Sequence, residues 1–114
     1  MKTQPIGNLG EDAAAEYLRQ NGYLVLQRNF RCKTGEIDII AIENGCTVFV
    51  EVKTRKNSNY GTAAEFVTFS KQEKIRKAAM YFLKSDDADM RFDVIEVYHN
   101  NMTVTEINHI KNAF

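Results

Sequence analysis

Residues 35–55, GEIDIIAIENGCTVFVEVKTR, constrain this chain more than any other stretch. Two apolar runs flank Asn44-Gly45, the dipeptide best suited to the positive φ angles of a tight hairpin turn. A two-residue turn fixes strand register. Glu43 then faces Cys46, Ile40 faces Phe49, Asp38 faces Glu51 and Glu36 faces Lys53. The steps between these pairs are even, so all of them share one side of the sheet.

The register creates a conflict. Both strands are otherwise apolar on both faces, as central strands are, yet Asp38 and Glu51 interrupt them. Directly opposed residues have Cβ atoms about 4.5–5.5 Å apart, where like charges are destabilising. Two carboxylates in a partly dry site resist ionising together. A divalent cation resolves the conflict, and carboxylate oxygens are the ligands that Mg²⁺ or Mn²⁺ takes. Glu36 is explained by a cross-strand pair with Lys53. A bulge in either strand would break the register.

The remaining chain reads as an α-β-β-β-α-β-β order with no internal repeat. NLGEDAAAEYLRQNG is a helix, capped by Asn8 and stopped at Asn21-Gly22. YLVLQRNF is a strand, followed by the polar loop RCKTG. SKQEKIRKAAMYFLK is a second helix, with Ser70 as cap, Glu73 completing a capping box, and an apolar stripe of Ile75, Ala78, Ala79 and Phe82. RFDVIEVYH and MTVTEINHI are strands joined by a turn at Asn100-Asn101. The strand–helix–strand passage from 46 to 98 predicts a parallel crossover. The expected fold is α/β, one domain over 1–114, with a mixed central sheet flanked by helices. On the first helix, Glu11 shares a face with Ala14, Ala15 and Leu18, while Asp12, Glu16, Arg19 and Gln20 face solvent. Glu11 either answers the helix dipole or reaches a metal held by the sheet.

Composition narrows the function classes. Fifteen basic and fifteen acidic residues balance to zero, which argues against indiscriminate nucleic-acid binding. Positive charge gathers at Arg28/Arg31/Lys33, at Lys53/Arg55/Lys56 and at Lys71/Lys74/Arg76/Lys77, and the last third is acidic. No apolar run is long enough for a membrane span, no secretory h-region is present, and the expected location is cytoplasmic. Cys32 and Cys46 read as reduced structural thiols, because no CxxC occurs. His99 and His109 read as surface or strand histidines.

GEIDIIA followed by VFVEVKTR resembles the PD-(D/E)xK nuclease signature, with Asp38 as the lone Asp and Glu51-Val52-Lys53 as the (D/E)xK. Ile37 stands where the signature's name has Pro. The hairpin between the halves, the helix carrying Glu11 before them and the helix after them resemble the restriction-endonuclease-like core, and are most similar to archaeal Holliday junction resolvases. GEDAAAEYLRQNGYLVLQRNFRCKTGEIDIIA, VFVEVKTRKN and AAEFVTFSKQEKIRKAAMYFL together resemble the YraN family over nearly the whole chain. The resemblance implies that Asp38 and Glu51 ligate Mg²⁺ or Mn²⁺ with the Val52 carbonyl. It implies that Glu11 contacts the metal directly or through water, and that Lys53 orients or deprotonates the attacking water. The implied activity is endonucleolytic hydrolysis of structured or branched DNA, with a homodimer as partner state.

Lys71, Lys74 and Lys77 recur every three residues on the second helix, either as phosphate contacts or as a solvated face. Arg55 and Lys56 follow the candidate site closely enough to reach a phosphate. The long stretch from Asn57 to Phe69 carries Tyr60, Phe66, Val67 and Phe69, for packing, for a second subunit or for wedging into branched DNA. A nucleic-acid-binding module without cleavage, or a protein-interaction protein working through this apolar stretch and the acidic C-terminal strands, are the alternatives.

Overall fold

The computed structural model describes residues 6–57, 67–84 and 89–114. Its elements are α1 (Ile6–Gln20), β1 (Leu24–Cys32), β2 (Gly35–Glu43), β3 (Cys46–Lys56), α2 (Phe69–Leu83), β4 (Met90–Asn100) and β5 (Thr103–Ile110). Asn44 and Gly45 turn between β2 and β3 with φ of 50° and 79°, as a primed hairpin turn requires. The register follows: Glu43 opposes Cys46, Ile40 opposes Phe49 and Ile39 opposes Val50. The strands lie in the order β1-β2-β3-β4-β5. β3 and β4 are parallel and the other neighbours antiparallel, so α2 lies in the one parallel crossover.

Alternation along the central strands divides the core. Val48, Val50, Ile95 and Val97 pack with Ala14, Ala15 and Leu18 of α1. Phe49, Ile40 and Val94 pack with Ile75, Ala78 and Ala79 of α2. The two helices therefore cover opposite faces of the sheet, and β3 is buried on both. This is the mixed, helix-flanked α/β sheet expected of a restriction-endonuclease-like core. Among the described residues no helix is long and apolar enough to cross a membrane.

Several local expectations are corrected. α1 starts at Ile6, so Asn8 lies inside it rather than capping it; an exposed Asn costs a helix only a few tenths of a kcal/mol. Thr68, not Ser70, caps α2: its backbone is extended and its hydroxyl accepts the Lys71 N–H. Glu73 pairs with Arg76 instead of completing a capping box. The RCKTG loop shrinks to Lys33-Thr34, because Arg31 and Cys32 continue the β1 ladder. Glu36 therefore pairs across that ladder with Arg31, at 3.2 Å, and not with Lys53. The last turn falls at Asn101-Met102, beyond the Asn100–Thr103 pair. Cys32 and Cys46 are free thiols. Val67 is buried beneath α2 and Phe69 is 72% exposed; Tyr60 and Phe66 lie outside the described residues.

The α1 face holds a buried polar cluster that the sequence reading passed over. Asp93 of β4 is fully buried. It accepts from Arg91 Nε at 2.8 Å and Nη2 at 2.9 Å, from His109 Nε2 at 2.7 Å and from the Asn112 N–H at 2.9 Å. With Nε2 donating, the other nitrogen of a neutral His109 ring accepts the Tyr17 hydroxyl, 3.1 Å away. Burial alone would raise the Asp93 pKa, but His109, Arg91 and the Asn112 N–H outweigh it and hold the carboxyl at about 2. His109 is thus a buried link between β5 and β4 rather than a surface residue.

A carboxyl held below its unfolded value stabilises the fold above that value and loses the contribution as pH falls. Asp93→Asn is expected to cost about 3 kcal/mol in urea denaturation at neutral pH, since it removes the buried charge that Arg91 and His109 converge on. About 2 kcal/mol of the gap to wild type, the equivalent of the shift from 3.8 to about 2, should vanish between pH 4 and pH 2. A gap that stays constant across that window would refute the assignment.

Candidate metal and nucleic-acid site

The β2–β3 ladder stops one step before the predicted Asp38–Glu51 pair. Ile39 and Val50 are the last opposed residues. Beyond them the Asp38 side chain itself accepts the Val52 N–H at 2.8 Å, in place of a strand carbonyl. The alternation of β2 breaks at the same point. Ile39 packs on the α1 side, yet Ile37, two residues earlier, packs on the α2 side with Ile40. On β1, Asn29 sits between the Arg28–Ile39 and Phe30–Ile37 pairs with a φ of 55°. The sheet is kinked at Asn29 and Asp38, and the kink frees Asp38 to point along β3 instead of across it.

Glu51 meets Asp38 there. It shares the α2 face with Phe49 and is 7% exposed, and its charge raises the Asp38 pKa. Burial pushes the Asp38 pKa up to about 8, aided by Glu51 and more weakly by Glu11, with the Val52 N–H opposing. The repulsion between the two acids thus acts past the end of the ladder rather than across a direct strand pair.

Lys71, in the first turn of α2, places Nζ 2.6 Å from Glu51 Oε2. The pair is close but poorly aligned, and Glu51 Oε2 has no hydrogen bond. Burial works against the Lys71 charge, but Glu51 more than compensates and raises its pKa. The sequence reading assigned Lys71 to nucleic acid alone. The correct cap, Thr68, would have signalled its second role, because helical side chains lean toward the N-terminus.

Glu11 approaches from the other helix. It is buried with Ala14, Ala15 and Leu18, as its spacing predicts. Its Oε1 lies 3.5 Å from Arg28 Nη2 and has no hydrogen bond; Arg28 spends its own bond on Asp12 at 2.6 Å. Gly10 sets how near Glu11 comes. A Cβ there would meet Thr54 Oγ1 of β3 at 1.9 Å, so only glycine lets α1 settle this close to the sheet. Neither Gly10 nor Arg28 stood out in the sequence, because the contacts that define them cross between α1, β1 and β3.

The remaining candidates separate. Val52 gives its N–H to Asp38. Lys53 shares the α2 face with Glu51 and makes no ion pair among the described residues. Lys56, Lys74 and Lys77 are exposed. Arg55 is held within the protein: its Nε binds Glu96 Oε2 at 2.9 Å with both side chains about nine-tenths buried. In the parallel β3–β4 register Glu96 lies beside Lys53, where it can capture an Arg55 that the sequence left facing solvent. Lys71 and Lys74 line a cleft of about 270 Å³ with Gly35, Glu36, Thr68 and Ser70.

The donor set suits Mg²⁺ or Mn²⁺, which take one or two carboxylates and keep several waters. Asp38 and Glu51 supply the carboxylates. Among the described residues no three Asp, Glu, His or Cys side chains form a ready-made cage. Glu11 Oε1 and Glu51 Oε2 lack a hydrogen bond, and each faces one protein cation, Arg28 at 3.5 Å and Lys71 at 2.6 Å.

Comparison with other chains matches residues 10–97 to the uncharacterised protein family UPF0102. The chain belongs to the UPF0102 family. It is 48% identical to a UPF0102 protein of Caldicellulosiruptor saccharolyticus over 118 residues, covering 100% of both chains. It is 48% identical to one of Caldanaerobacter subterraneus and 49% to one of Clostridium botulinum, each over 114 residues, 96% of this chain and 93% of the relative. UPF0102 is the YraN family that the sequence resembles, and the matched segment contains Glu11, Asp38, Glu51, Lys53 and Lys71.

A carboxyl raised above its unfolded value binds more protons folded than unfolded, so it destabilises the fold as pH rises between the two values. Without divalent cation, the protein should lose stability between about pH 4 and pH 8 through Asp38. Asp38→Asn can still accept the Val52 N–H and should be more stable than wild type at pH 8 by on the order of 2 kcal/mol, given partial solvent screening. Thermal melts in EDTA across this range test it; a less stable variant at pH 8 would refute the repulsion. Arg55→Ala should cost about 3 kcal/mol in urea denaturation by stranding buried Glu96. A variant of wild-type stability would return Arg55 to the set of surface phosphate contacts.

Proposed function

We propose that this UPF0102 protein is a metal-dependent endonuclease acting on structured or branched DNA. The observation that carries the reading is buried Glu51 on the strand whose Val52 N–H binds the Asp38 carboxylate, with each acid inside an otherwise apolar run. Two desolvated carboxyls are held together with Glu11 nearby, an arrangement with a structural cost and no packing benefit. Perturbed acids in such a setting mark functional sites.

Asp38 and Glu51 would hold Mg²⁺ or Mn²⁺, with the Val52 carbonyl as a third ligand and Glu11 acting through water. The bound ion supplies Lewis acidity and a more acidic water. Lys53 extends from the strand that carries Glu51, and its side chain is free to orient a water and to offset charge on the phosphate. Water oxygen bonds to phosphorus, the bond to the 3′ oxygen breaks, that oxygen takes up a proton, and a 5′-phosphate remains. Lys56, Lys74 and Lys77 are exposed cations suited to the phosphate backbone, which positions without reading sequence. A homodimer accompanies a substrate cut symmetrically on two strands. Free Cys32 and Cys46 agree with a cytoplasmic location.

The balanced charge favours a second reading, a nucleic-acid-binding or protein-interaction module that keeps the site but needs a partner to cleave. Cleavage of matched linear, flapped and four-way-junction DNA with Mn²⁺, Mg²⁺ or EDTA separates the two. Wild type should cleave only with metal, and Asp38→Ala, Glu51→Ala and Lys53→Met should each lose at least about a hundredfold in rate while melting as folded proteins. Equal activity in wild type and Glu51→Ala would dismiss the assigned site. Salt-dependent binding without turnover would favour the second reading.

A further inference from the structure

The Lys71–Glu51 pair has the features of a temporary arrangement. Nζ lies 2.6 Å from Oε2, yet the contact lacks hydrogen-bond alignment. The Glu51 side chain is 6% exposed and fixed by its central strand, whereas that of Lys71 is 46% exposed. Its flexible stem starts in the first turn of a helix beside open space. The space is the cleft of about 270 Å³, where Ser70 and Lys74 stand next to Lys71 and Glu36 is the lone acid. Glu36 is already paired with Arg31. One ammonium therefore has two destinations, a buried carboxylate and a cleft suited to an anion.

We propose that Lys71 is an exchangeable counter-ion: it neutralises Glu51 while no metal is bound, yields that oxygen to a divalent cation, and turns into the adjoining cleft to bind a nucleic-acid phosphate. The inference rests on the metal-dependent reading above. An ammonium and a divalent ion cannot share one carboxylate oxygen at contact distance without strong repulsion. Release of Lys71 then adds a cation to the cleft when the site is loaded, so metal and nucleic acid reinforce one another's binding. Such coupling is reciprocal.

The test begins with calorimetric Mn²⁺ titration of the full chain without nucleic acid. Lys71→Met should bind Mn²⁺ at least fivefold more tightly than wild type. Lys74→Met, which removes the same charge a turn away, should change affinity less than twofold. Equal or weaker Mn²⁺ binding by Lys71→Met overturns the counter-ion while leaving the metal site standing. No Mn²⁺ binding by any of these proteins overturns both the counter-ion and the metal-dependent reading. If Lys71→Met is poorly folded, Lys71→Gln takes its place under the same criteria.

A second measurement uses four-way-junction DNA, with Ca²⁺ replacing Mn²⁺ to hold back cleavage. Lys71→Met should bind the junction at least threefold more weakly than wild type with Ca²⁺, and within twofold of wild type in EDTA. An equal loss in both conditions would make Lys71 a permanent phosphate contact and overturn the exchange.

Discussion

The hydrogen bond from the Val52 N–H to the Asp38 carboxylate is the contact on which the site depends. It replaces a rung of the β2–β3 ladder with a side chain, so the two strands part where the ladder ends at Ile39 and Val50. The backbone donor keeps its partner, as a buried N–H must. The parting lets one apolar face give way to an acidic pocket without opening the core. Below it, Ile39, Val50 and their neighbours pair regularly and hold both helices. Above it, β3 continues against β4 alone among its neighbours and carries Glu51, Lys53 and Arg55 on one face.

Fully buried Asp93 and half-buried Asp38 have opposite surroundings, and their contrast separates structure from function. Asp93 gathers Arg91, His109 and the Asn112 N–H and sits at about 2. Asp38 has one backbone donor against Glu51 and Glu11 and sits at about 8. A satisfied carboxylate ties β4 to β5 and to the C-terminal turn. An unsatisfied one stores unfavourable energy that only a proton or a cation relieves. Natural folds break their own rules of polar satisfaction at functional sites and compensate elsewhere. Here the compensation includes the two complete hydrophobic layers on either side of the sheet.

Much of this was legible in the sequence because it rests on short-range chemistry. Asn44-Gly45 dictated its own turn, and the turn dictated register as far as Ile39 and Val50. The helical spacing of Glu11 with Ala14, Ala15 and Leu18 placed it on the buried face. Legibility ended where contacts cross between distant segments. The kink at Asp38 needs Asn29 of β1, with its positive φ. The capture of Arg55 needs Glu96, forty-one residues away, and the approach of Glu11 needs Gly10 against Thr54. The caps were misjudged for a simpler reason. Asn8, Thr68 and Ser70 are all competent capping residues, and sequence alone does not rank neighbours whose intrinsic preferences differ by tenths of a kcal/mol.

On the proposed reading, the division of labour among the cations reconciles a neutral chain with a nucleic-acid substrate. All six arginines make ion pairs with carboxylates: Arg19, Arg28, Arg31, Arg55, Arg76 and Arg91. The rigid guanidinium fork suits fixed, bidentate or buried partners, and here those partners belong to the protein itself. Lys33, Lys53, Lys56, Lys74 and Lys77 make no ion pair among the described residues, and Lys33 and Lys74 flank the clefts beside the site. Net charge counts both groups alike, but these lysines have no carboxylate partner among the described residues. Arginine is also the residue that most often reads guanine edges. A surface of mobile ammonium groups, with its arginines already committed, is suited to phosphates and to the shape of a strand or junction. On the proposed reading, selectivity would then arise from substrate structure and from the metal-loaded acids.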